Sequence, residues 1–92
     1  MITLYSEVNK HEILIIREIA KKHGIKKCRM MKSKSVFIGS QLELIEKNVA
    51  ESLINELKKA GFGPENPTII DMIIEQNNLC GLMVRKIHEY HA

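Results

Sequence analysis

The sequence predicts one α+β domain in the order β-α-β-β-α-α, and three observations carry that prediction. Two segments repeat apolar residues at three- and four-residue spacing behind capping-box signatures. Between them lies a stretch whose return leg is rich in strand-forming side chains. The chain has 92 residues, 45% of them hydrophobic, which is enough for one core and too little for two. Residues 1–92 are therefore read as a single domain, with stability on the order of 5 kcal/mol unless a second subunit adds core.

The first element is a short strand, where Ile2 and Leu4 alternate with Thr3 and Tyr5. A helix follows. Asn9 is its expected N-cap, Glu12 closes a capping box, and Val8 and Ile13 are placed for a hydrophobic staple. Ile13, Leu14, Ile16, Ile19 and Ala20 continue it. Gly24 is its expected stop, with Ile25 folding back onto Ala20. Lys21, Lys22 and His23 occupy the last turn, where the helix dipole favours cations.

Residues 25–39 read as a β-hairpin. Cys28 and Met30 alternate with Arg29 and Met31 going in, Val36, Phe37 and Ile38 return, and the turn falls near Lys32 to Ser35. Without an Asn-Gly or Asp-Gly dipeptide the register stays open. The second helix is expected from Ser40, in a capping box with Glu43, to Ala60, about 30 Å at twenty residues. Its stripe is Leu42, Ile45, Val49, Leu53, Leu57 and Ala60, and Gly61 closes it with Phe62 packed on Leu57.

Gly61 to Asn66 reads as a turn. Asn66 with Pro67 then opens a third helix, continuous or broken near Asn77, Asn78 and Gly81. One apolar line on it holds Ile70, Ile73, Asn77, Cys80, Val84 and Ile87. A second holds Ile69, Met72, Leu79, Met83 and Tyr90. Met72, Leu79, Met83 and Tyr90 are the candidate contact with a partner or a second copy, since flexible thioethers adapt to a surface. Asn77 would set register there.

The net charge is +3, but its distribution is lopsided. Residues 17–34 hold eight Lys or Arg against one Glu (+7), residues 35–92 five against eight (−3), and residues 1–16 one against two (−1). Arg17, Lys21, Lys22, Lys26, Lys27, Arg29, Lys32 and Lys34 run from a helix end into the hairpin. Such an array can neutralise one phosphate per cation, with His23, Ser33 and Ser35 adding hydrogen bonds. Aromatic interleaving for base stacking is nearly absent, only Phe37 lying close.

Other chemistries find little support. His88 and His91 are two ligands where a closed zinc site takes four, and no metal or cofactor is expected. Cys28 and Cys80 form no CxxC pattern, which favours a reducing, cytoplasmic setting. Cys28, if it points inward with Met30, is an inert core residue. No apolar run is long enough to span a membrane, and the first residues do not resemble a secretory signal. The glutamates, Glu12, Glu51 and Glu56 among them, are expected on solvent faces, and no residue stands out as catalytic.

The leading expectation is thus a nucleic-acid-binding or nucleoprotein-associated protein. The alternative is a regulatory or inhibitory protein that docks on an acidic protein surface, as a homodimer through its C-terminal helix or alone.

Overall fold

The structure is a computed structural model in which residues 2–40, 47–64 and 80–90 are described. The elements are β1 (Ile2–Ser6), α1 (Glu12–Lys22), β2 (Cys28–Met30), β3 (Val36–Ser40), α2 (Lys47–Lys59), β4 (Phe62–Pro64) and β5 (Cys80–Tyr90). The α+β class holds: a five-stranded antiparallel sheet carries, among the described residues, two helices.

Local signals produce the first half of the chain. The Asn9 side-chain oxygen accepts from the amides of His11 and Glu12 at 2.9 and 2.8 Å, and Glu12 Oε1 accepts from the Asn9 amide at 3.0 Å. This is the reciprocal capping box, and it satisfies donors that the first helical turn leaves open. Val8 and Ile13 are both buried beneath it. At the other end Gly24 takes φ +79°, its amide donates to Lys21 O, and the Ile25 amide donates to Ala20 O, both at 3.0 Å. Those two bonds define a Schellman stop, and Ile25 buries with Ala20 as expected.

The hairpin pairs Cys28 with Ile38, Arg29 with Phe37 and Met30 with Val36. At its tip the Met31 amide donates to Ser35 O (2.8 Å) and the Lys34 amide to Met31 O (2.9 Å). These bonds enclose a three-residue loop, Lys32 to Lys34, whose last residue must be left-handed to match the strand twist. Lys34 accordingly sits at φ +63°. A Lys34→Gly exchange removes the Cβ clash and is expected to stabilise the fold by about 1 kcal/mol in a urea titration. An unchanged midpoint would mean that the tip does not carry this strain.

β5 is the hub of the sheet. Ile87 donates its amide to Gly61 O at 2.9 Å, so the odd residues of β5 address β4 and the even ones the opposite edge. Val84 faces Val36 and Pro64, while Lys86 faces Ser6 and Phe62. β3 and β1 therefore dock in line along one edge of β5, with β4 on the other. β2 adds outside β3. Ile38, Leu82, Val36 and Val84 meet Ile16, Ala20, Ala50, Leu53, Leu57 and Phe62 in one core.

Several expectations need correction. Residues 80–90 of the expected third helix are a strand, held by pairing with three other strands; residues 66–79 lie outside the described residues. Phe62 to Pro64, read as part of a turn, is a short strand that ends in proline at the sheet margin, where a missing amide is tolerated. Ser40, expected to cap the second helix, is the last residue of β3; Glu43, Leu42 and Ile45 lie outside the described residues, and α2 is described from Lys47. Glu12 does not face solvent either. Its side chain is 14% exposed, and its second oxygen takes the Lys86 ammonium at 2.6 Å. The bonds from Lys86 and from the Asn9 amide hold this carboxyl below the ordinary carboxylate range.

Candidate functional site

Two cations at and on α1, Lys10 and Arg17, meet Lys34 of the hairpin tip at one cleft. A period of about 3.6 residues per turn puts Ile13, Ile16, Ile19 and Ala20 of α1 against the core. The same period places Leu14, Arg17 and Lys21 together on one flank, and Lys10 lies in the turn just before the helix. That flank faces β2, where Arg17 Nη2 reaches the Cys28 carbonyl at 3.5 Å. The Val8 amide donates to Lys34 O at 2.8 Å and so fastens the hairpin tip to the turn before α1.

Between these parts opens a cleft of about 640 Å³ lined by Glu7, Val8, Asn9, Lys10, Ile13, Leu14, Arg17, Met30 and Lys34. Val8 and Ile13 are buried and Met30 is partly buried, so the floor is apolar. Lys10, Arg17 and Lys34 stand exposed around it, against Glu7, the single acid among the described lining residues. Leu14 is an apolar side chain 55% exposed within this cationic rim. Lys34 also keeps a left-handed backbone that glycine would adopt at lower cost. Retained strain of this kind, at a charged residue on a cleft, is an observation from which function can be inferred.

The eight cations of the expected site do not form one patch. Arg17 and Lys34 line the cleft, and Lys21 lies on the same flank of α1. Lys26 and Lys27 are exposed in the connection from α1 to β2, and Lys32 is exposed at the hairpin tip. Lys22 is on the other side of α1 and pairs with Glu56 at 3.4 Å. Arg29 stands opposite Phe37 on the sheet face away from the helices. Lys10 and Leu14 were missed by the sequence reading. Their signal was there in the spacing Lys10, Leu14, Arg17, Lys21, but it lay outside the window of dense charge.

The auxiliary groups are otherwise engaged. His23 Nε2 lies 3.1 Å from Glu56 Oε1, and the His23 and Lys22 bonds hold the Glu56 carboxyl below its ordinary range. Ser35 is buried and accepts from Arg85 Nε at 2.9 Å, while Ser33 donates to Ser35 at 3.2 Å. Neither His23 nor Ser35 is therefore placed to meet phosphate.

The C-terminal contact face is also revised. Met83 and Tyr90 lie on β5 seven residues apart and so point to opposite sides of the sheet; Met72 and Leu79 lie outside the described residues. His88 shares a 2.9 Å hydrogen bond with Ser6, and His91 lies outside the described residues. Cys28 is half-buried and packs against the core beside Met30. Among the described residues no cluster of three or more metal-binding side chains occurs, and no helix is long and apolar enough to cross a membrane.

Comparison with protein-family models, with curated proteins and with solved structures finds no match. The functional reading therefore stands on the residues of this chain.

Proposed function

We propose that this chain is a nucleic-acid-binding or nucleoprotein-associated protein that grips phosphates with the α1 flank and the hairpin tip. The observation that carries the reading is the convergence of Lys10, Arg17 and Lys34 on one cleft where Glu7 is the single acid among the described lining residues. Lys21, Lys26, Lys27 and Lys32 extend the positive field along the same elements. Phosphates are attracted without sequence readout, because each contact releases condensed counterions.

The test is fluorescence anisotropy with a labelled oligonucleotide. With about five phosphates engaged, affinity is expected to fall by roughly two or more powers of ten between 50 and 200 mM salt. A Lys10→Glu, Lys34→Glu double variant is expected to abolish binding with an unchanged circular dichroism spectrum. Salt-independent binding, or full affinity in the double variant, rejects the proposal.

A second reading, docking on a partner protein, is favoured by Ile2, Leu4 and Tyr90. Ile2 stands opposite Tyr90 on one face of the β1–β5 pair, and all three side chains are more than half exposed. The same titration separates the two. A chain that ignores oligonucleotides at 50 mM salt leaves the docking reading in place.

A further inference from the structure

The cleft has more than a phosphate site requires. A surface that only tracks a nucleic-acid backbone needs cations at its crest and no apolar recess between them. Here the recess is floored by Val8, Ile13 and Met30, walled by Leu14, and rimmed by Lys10, Arg17 and Lys34. Its volume falls within the roughly 300–1,000 Å³ typical of sites for small organic groups. The matching ligand is an apolar, flat or compact body that carries negative charge on its flanks. We infer that the cleft seats an unpaired base, with the neighbouring phosphates held by Lys10, Arg17 and Lys34. The protein accordingly prefers single-stranded nucleic acid to duplex. This inference rests on the nucleic-acid reading above and narrows its substrate.

The parts fit that task. In a duplex the bases are stacked and paired, so their faces cannot enter a recess without prior unpairing. In a single strand they are splayed, and sequence-tolerant contact to a base face suffices. The Met30 thioether is adaptable enough to meet different bases. Arg17, tied to the Cys28 carbonyl, presents a planar guanidinium at the rim, a group that packs on bases as well as pairing with phosphate. Among the described residues no aromatic side chain lines the cleft, so the contact is one of apolar burial rather than ring stacking.

The experiment compares three labelled oligonucleotides of equal length at one salt concentration: a single strand, its duplex, and a single strand with abasic sites throughout. The full chain is expected to bind the single strand at least tenfold more tightly than the other two. Leu14→Ala, at a half-exposed position that spares the core, is expected to weaken single-strand binding about tenfold, the scale set by a few methylene groups in an apolar pocket.

Equal affinity for all three, unmoved by Leu14→Ala, overturns the base seat and leaves the phosphate reading intact. Binding to none of them overturns the phosphate reading itself. Displacement of the single strand by a peptide of alternating Glu and Leu, at concentrations where an all-Glu peptide has no effect, reassigns the cleft to a protein partner and also overturns the base seat.

Discussion

Val84→Pro is expected to leave the chain largely unfolded at 25 °C, seen as loss of the far-ultraviolet strand and helix signal without added urea. Val84 sits where three strands meet, opposite Val36 on one edge of β5 and Pro64 on the other. Even residues of β5 direct their amides toward β3, so proline there deletes a ladder bond, and its ring has no edge to face. Leaving the buried β3 carbonyl without its donor costs about 1–3 kcal/mol by itself. Val84 is also fully buried in the core, so the fit of its side chain is lost as well. Against a domain of roughly 5 kcal/mol little remains. A folded, cooperative Val84→Pro protein would remove β5 from the centre of the sheet.

Leu53→Ala is expected to cost about 3 kcal/mol, within the 2–5 kcal/mol found when a buried leucine is cut back. Leu53 is completely buried, and so is Leu57 one turn on, in the stripe by which α2 closes the core over the sheet. In a chain of this size such a loss lowers the thermal midpoint by roughly 12–20 °C. Thermal denaturation followed at 222 nm checks it. A shift of only two or three degrees would show that α2 is loosely packed and that the sheet with α1 stands without it. The control is Glu51→Ala on the exposed side of the same helix, expected to change stability by less than about 0.5 kcal/mol.

These two outcomes probe different kinds of information in the chain. The α1 boundaries were legible because each rests on bonds within a few residues. Asn9 and Glu12 cap each other, and Gly24 with Ile25 closes on Ala20 and Lys21. No distant contact is needed for either. The hairpin was legible for a related reason, although its register depended on Lys34 adopting a conformation that lysine rarely takes.

The C-terminal strand was not legible. In residues 80–90 Cys80, Val84 and Ile87 fit a helical line, while Leu82 and Val84 against Met83 and Arg85 fit a strand. Local periodicity does not separate the two patterns. The choice is made by pairing with β1, about eighty residues earlier in the chain, and with β3 and β4. β4 was hidden for a similar reason: glycine and proline flank its one large apolar residue, Phe62, and read as a turn until the β5 edge supplies a partner.

The candidate site divides the same way. That positive charge is concentrated around residues 17–34 follows from composition, and no fold is needed to see it. Which of those cations lie together was decided by tertiary structure. The Val8–Lys34 bond brings Lys34 to Lys10 across a gap of twenty-four residues, the turn of α1 adds Arg17, and Lys22, on the far side of the same helix, pairs with Glu56. Charge is a property of each side chain, whereas a cleft belongs to surfaces that meet only when the chain closes on itself. Helix caps and turns are short-range and are carried by neighbouring residues. Strand partners and pocket walls are long-range, and no stretch of the sequence read in isolation contains both halves of either.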